Sequence, residues 1–247
     1  MKAFKSMLRT ELKLSLRGMD MFLFAICAPL VTLVILGITC GNQPASTGAE
    51  HTFLEQSFGA LASISICAGG VMGLPLVVSD YRGRGILKRY RVTPVSPSLI
   101  LAVQVAVYTL YALLSLLSLY LAAAGLFGYQ FRGSPLRFLC GYLLVMGSMF
   151  SIGMMVGGLA PNTKMAGVIA SALYFPMLLF SGATLPYEGM PSALQKVADI
   201  LPLTQGIKLL KAASLNAPAG SALVPMAIML AIAAICICVS LQFFRWE

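Results

Sequence analysis

Charged residues with a distinctive arrangement cluster in one short stretch. Residues 80–97, DYRGRGILKRYRVTPVSP, hold Arg82, Arg84, Lys88, Arg89 and Arg91, five of the 17 basic residues in the chain. Ile86, Leu87, Tyr90 and Val92 are interleaved with them. Guanidinium groups suit carboxylates on a partner, and apolar side chains between them suit a groove. Two readings stand side by side: a short charged helix that docks on another protein, or a plain basic flank of a membrane span. Gly83 and Gly85 permit a tight turn at its start. The spacing predicts a helix over 86–91, ended by Pro94 and Pro97.

A second stretch, 186–218, is long yet not very polar. Pro186 and Glu188 stand near its start. Met190, Leu194, Val197 and Leu201 recur at i, i+4, i+7 and i+11, one helical face. Pro191 suits the first turn of that helix and Pro202 its end. Thr204 is placed to cap a second short helix carrying Ile207, Leu210 and Ala213. Such a pair either re-enters the outer leaflet of a membrane or lies flat on its surface.

Other chemistry is missing. No Gly-x-x-x-x-Gly-Lys-Ser/Thr run offers a phosphate cradle. No nucleophile, base and orienting group fall into a catalytic set. The single histidine, His51, has Glu50 and Glu55 near it in sequence, too few partners for a metal site. Cys27, Cys67, Cys140, Cys236 and Cys238 lie inside apolar runs and Cys40 at the edge of one, so they read as small hydrophobes. The chain reads as a non-enzyme with no cofactor or metal of its own. If it moves anything uphill, a partner supplies the energy.

The elements that carry these stretches are set by composition. The chain has 247 residues, 59% of them apolar and only 10% charged, with a mean hydropathy of +0.89. A soluble domain carries about 25% charged residues. Lipid therefore has to cover most of this surface. The net charge of +9 lies in short clusters flanking apolar runs, which points to membrane topology and away from nucleic acid. Uncharged runs cover about 21–39, 57–79, 98–127, 138–160, 165–185 and 221–244. Each is long enough for a bilayer core of about 30 Å as a helix. They are continuous and not alternating, so the expectation is an all-α integral membrane protein of six spans, not a barrel.

Twelve of the 17 basic residues then fall on one side: Lys2, Lys5, Arg9, Lys13 and Arg17, the five in 80–97, Lys164 and Arg245. The excess of Lys and Arg in cytoplasmic segments puts both termini there. In the arm at 1–18, Phe4, Leu8, Leu12 and Leu16 make one stripe and Lys5, Arg9, Lys13 and Arg17 the next. That pattern fits an amphipathic helix in the membrane interface or an ordinary basic flank. Gly18 breaks it and Asp20 can cap the first span. Gly37/Gly41, Gly69/Gly73 and Gly153/Gly157 form Gly-x-x-x-Gly pairs suited to a helix seam, including one between two chains.

The order of these parts resembles the ABC-2 family of bacterial ABC-transporter permeases. Two segments carry the likeness. One is YRGRGILKRYRVTPVSP at 81–97, with its Gly-x-Leu-x-Arg core and Thr-Pro ending. The other runs from GGLAPNTKMAG at 157–167 through LLFSGATLPYEGMPSALQKVADILPLTQGIKLLKA. The resemblance implies one transmembrane domain over 1–247 in a bacterial inner membrane. It implies that Arg82, Arg84, Ile86, Leu87, Lys88, Arg89 and Arg91 belong to a coupling helix docked on a separate ATP-binding subunit, which holds ATP and magnesium. The arm at 1–18 becomes an interface helix. Pro186, Glu188, Pro191, Pro202 and Thr204 belong to a re-entrant pair near an outer exit. A second permease chain, the same or different, completes an exporter of amphipathic, drug-like or lipid-linked cargo. Many members carry an acidic residue where Gly83 stands, which leaves Asp80 as the nearby carboxylate. From the residues alone, a passive channel or scramblase and a non-transporting sensor or immunity protein remain open.

Overall fold

The computed structural model describes residues 2–40, 51–86, 97–182 and 190–243. They form nine helices: α1 (Lys2–Gly18), α2 (20–40), α3 (Phe53–Gly83), α4 (Pro97–Phe127), α5 (Pro135–Leu159), α6 (Thr163–Phe180), α7 (Ser192–Ile200), α8 (Pro202–Ser214) and α9 (Ala219–Phe243). Six of them, α2 to α6 and α9, are long and apolar enough to cross a membrane. The protein is an all-α, multi-pass membrane protein, as its uncharged runs predict.

Local chemistry sets the boundaries. Met19, at φ +56°, takes the left-handed conformation that separates α1 from α2, so the break falls one residue beyond Gly18, which stays helical. Thr52 and Glu55 cap α3 reciprocally: Thr52 Oγ1 accepts from the Glu55 amide at 3.2 Å, and Glu55 Oε2 accepts from the Thr52 amide at 3.0 Å. At the other end Gly85, at φ +67°, turns the chain out of the helix. Gly83 remains helical, so one glycine makes the turn expected of two. Asn162 Oδ1 caps α6 by accepting from the Met165 amide at 2.8 Å.

α3 is longer than the run 57–79. Its 31 residues extend about 46 Å at 1.5 Å per residue, beyond a bilayer core. Glu55 lies in its first turn and Asp80 and Arg82 in its last, where hydrogen bonds satisfy them. Two prolines distort the spans in the same way. Pro29 and Pro75 each follow a widened π-turn, Leu23–Cys27 in α2 and Ala68–Gly73 in α3. The amides of Ala28 and Leu74 reach five residues back, to the Leu23 and Gly69 carbonyls. A proline lacks its amide and clashes with the carbonyl four residues before it, and the wider turn absorbs both defects.

α3 is buried along most of its length, while α2, α6 and α9 show most of theirs outward. Phe24, Val31 and Ile38 on α2, and Val224, Ile235 and Leu241 on α9, are exposed on the outside of the bundle. The closest seam joins α3 to α5. A side chain at Gly153 would collide with the Gly70 carbonyl, and one at Gly157 would meet Pro75 and Val78. Gly69 and Gly73 face Tyr108 of α4, and Gly37 faces Phe127. These glycines serve close helix packing within one chain; Gly41 lies outside the described residues. Polar ties cross the apolar interior. Tyr142 Oη donates to the Ala112 carbonyl and Ser148 Oγ to the Met229 carbonyl, each at 2.8 Å.

Candidate functional site

Chemistry gathers at the two ends of the bundle. One end holds α1, the exit from α3, the start of α4 and the α5–α6 turn. α1 lays Met7, Leu8 and Leu12 against protein: Met7 on the Val78, Ile100 and Leu101 cluster, the other two beside Val107 and Tyr111. Leu16 points outward, so only part of the expected apolar stripe packs inward. Between Met7 and Ser15 sits Glu11, the one acid on this helix. Its Oε2 accepts from Tyr81 Oη at 2.8 Å and from Gln104 Nε2 at 2.9 Å. Ser15 Oγ donates to Tyr111 Oη at 3.1 Å. An open cavity of about 440 Å³ adjoins this network, lined by Glu11, Asp80, Tyr81, Gln104 and Tyr108 among others.

The residues expected to dock on a partner divide here. Arg82 is buried at 7% exposure, and its Nη1 donates to the Gly158 carbonyl at 2.6 Å and to Gly157 at 3.4 Å. The last carbonyls of a helix lack internal partners and carry the negative end of its dipole, so a guanidinium suits them. Arg82 thus points into the bundle and not out of it. Arg84 is exposed and pairs with Asp80 at 2.9 Å, and Ile86 is half-buried. Leu87, Lys88, Arg89 and Arg91 lie outside the described residues, as does most of the helix expected over 86–91.

The opposite end is built on α7 and α8. Pro191 precedes α7 at its N-cap position. Pro202 opens α8 in its first turn, where sequence expected it only to close α7. Thr204 does not cap α8; it lies within it, buried, and Leu201 holds the cap position. Pro186 and Glu188 lie outside the described residues. α8 packs inside the bundle: Leu203 and Leu210 are fully buried, Leu210 fits against Gly59 of α3, and Gly206 admits Val145 of α5. Lys208 Nζ donates to Asp199 Oδ1 at 2.6 Å and Gln205 Nε2 to the Asp199 carbonyl at 2.7 Å, fixing α7 to α8. Leu194 and Val197 of the predicted α7 stripe are exposed, while Met190 and Ala198 are buried. A cavity of about 230 Å³ lies beside α8, with Gln56, Ser57, Ser181, Thr204, Lys208 and Lys211 in its wall.

The same end carries a charged and aromatic cluster. Glu55, buried, pairs with Arg132 at 3.4 Å, and His51 Nδ1 is 3.9 Å away. Phe58 stacks on Tyr129 with centroids 4.6 Å apart, and Phe138 tilts against Phe58 at 5.8 Å. Burial, with the Glu55 carboxylate and then Tyr120 nearby, pushes the Tyr129 phenol well above its ordinary range.

Spacing alone misses Glu11 and Gln104. Their signal is contrast: one carboxylate on a basic arm, and the one amide in the third span.

The sequence model of the ABC-2 type transporter family matches residues 2–215. The match takes in α1, the first five spans and the α7–α8 pair. The chain belongs to the ABC-2 type transporter family. It is similar to the inner membrane transport permease YhhJ of Escherichia coli, 29% identical over 132 residues, which is 53% of this chain and 35% of that protein. It is also similar to nodulation protein J of Sinorhizobium fredii, 34% identical over 94 residues, 38% of this chain and 34% of that protein. Nodulation protein J of Neorhizobium galegae matches at 33% over the same length. These alignments span about a third of the length of the curated relatives.

Proposed function

We propose that this ABC-2 permease is the transmembrane half of an ATP-driven exporter. Residues 1–247 act as one transmembrane domain, and a separate ATP-binding subunit supplies ATP and magnesium. The connection at 84–97, with Arg84, Ile86, Leu87, Lys88, Arg89 and Arg91, docks on that subunit together with the outward face of α1. Both termini face the cytoplasm of a bacterial cell. A second permease chain, most simply an identical one, completes the pathway. The cargo is amphipathic, drug-like or lipid-linked, because no charged residue lies in the middle of any described span to bind an ion. The pair α7–α8, with the 186–191 segment before it, lines the outer exit.

One observation carries this reading. α1 and the root of the 84–97 connection lie at the same end of the bundle, joined through Glu11 and Tyr81. Lys5, Arg9, Lys13 and Arg17 of α1 and Arg84 therefore share that end. Basic residues gathered at one end mark the cytoplasmic side, where an ATPase works.

The test is co-expression with the ATP-binding subunit proposed as its partner, followed by purification and ATPase assay. The wild-type pair should co-purify. Changing Arg84, Arg89 and Arg91 together to Glu should lower ATP hydrolysis by the complex at least about tenfold, the equivalent of 1.4 kcal/mol or more of coupling, with the fold intact by thermal unfolding. Undiminished activity would contradict the docking role.

A further inference from the structure

The last turn of α3 reaches in two directions at once. Tyr81 points to α1 and α4: its hydroxyl donates to Glu11 Oε2 at 2.8 Å and accepts from Gln104 Nε2 at 3.1 Å. Gln104 also donates to the same Glu11 oxygen at 2.9 Å, closing a triangle among three helices. The next residue, Arg82, points the other way and holds the Gly157 and Gly158 carbonyls at the end of α5. Four residues on, Asn162 caps α6. Gln104 and Arg82 are both nearly sealed from solvent, at 4% and 7% exposure.

Hydrogen bonds in which one partner is charged are shorter and about twice as strong as neutral ones. They are also directional. The apolar contacts beneath them, Met7 with Val78, Ile100 and Leu101, are not, and such surfaces slide. Glu11 is the one acid on a helix whose other charges are basic.

We propose that Glu11, Tyr81, Gln104 and Arg82 form a clamp. It makes α1, the adjoining ends of α3 and α4 and the α5–α6 turn one rigid body. A push on the 84–97 connection then moves α1 and the four spans α3 to α6 together, and no span yields separately. The four residues position the moving parts and touch no cargo. The transmission role rests on the docking reading above; the rigidity does not.

The test uses the full chain in lipid nanodiscs, with its native cysteines replaced by alanine and spin labels at Lys5 on α1 and Leu159 at the end of α5, the labelled chain being diluted with unlabelled chain so that only distances within one chain are read. Without nucleotide, the interlabel distance distribution should be single and narrow. Tyr81→Phe, which removes one hydroxyl with little change of shape, and Arg82→Gln should each broaden it at least about twofold. Arg82→Lys, which keeps a cationic donor, should restore most of the narrowness. Widths unchanged in both Tyr81→Phe and Arg82→Gln, or a broad distribution in the starting protein, would overturn the clamp. A second arm adds the ATP-binding subunit and traps it with magnesium, ATP and vanadate. The Lys5–Leu159 distance should then stay within about 2 Å of its resting value, whereas independent movement of helices would shift it by about 5 Å. A shift of that size overturns the single moving body. Failure of any ATPase to bind would sink the exporter reading, and the first arm would still decide the clamp.

Discussion

Glu55 shows how a charge survives at the lip of a membrane helix. Its carboxylate closes the Thr52 capping box and faces Arg132, so neither oxygen is left bare. Glu55→Ala removes both and should destabilise the protein by about 2 kcal/mol. Glu55→Gln keeps a carbonyl oxygen for the Thr52 amide and loses only the pairing with half-exposed Arg132, a loss of about 0.5 kcal/mol. Denaturant titration in detergent separates them; equal losses would make the ion pair, not the cap, the dominant part. At this scale the sequence reads unevenly. Arg82 has the same residue type and neighbourhood as Arg84, yet one is buried on carbonyls and the other is exposed. Nothing in their spacing separates them, because the carbonyls come from a helix 75 residues away in the chain. Thr204 fails as a cap for a related reason. Pro202 already starts α8 two residues earlier, which carries the threonine into the helix.

Among the elements, the seam of α3 with α5 depends on absent side chains. Gly153→Leu forces a side chain onto the Gly70 carbonyl and should cost about 2 kcal/mol or more, through overpacking at a site that cannot relax. Gly147→Leu, on the same helix with nothing nearby, should leave stability almost unchanged. The midpoint of thermal unfolding by size-exclusion chromatography reads both; equal effects would place the seam elsewhere. Six spans were legible because a helix in lipid needs a long uncharged run, and six such runs exist. Their ends were less legible. α3 continues past 57 and 79 because Glu55, Asp80 and Arg82 find partners, so a charge there does not stop the helix. The π-turns were hidden too. Pro29 and Pro75 sit inside uncharged runs, and the structure gives each one extra residue in the preceding turn, which rotates the remainder of the helix by about 100°.

For the whole molecule, direction is what matters. The bundle has a basic end, with α1 and the root of the 84–97 connection, and an opposite end, with α7, α8 and the Glu55–Arg132 pair. An exporter worked by a cytosolic ATPase requires the basic end inside. The placement of α1 against the exit of α3 could not be read from either segment alone, since it hangs on Glu11 meeting Tyr81 across 70 residues of chain. Orientation can be measured without knowing cargo or partner. Single cysteines at Arg84 and at Asn216, in a chain otherwise freed of cysteine, are challenged with a membrane-impermeant maleimide. In intact cells stripped of the outer membrane, the cysteine at 216 should label and the one at 84 should not, and inverted vesicles should reverse the pattern. Labelling at 84 from outside would place the basic elbow away from any cytosolic ATPase and contradict the account.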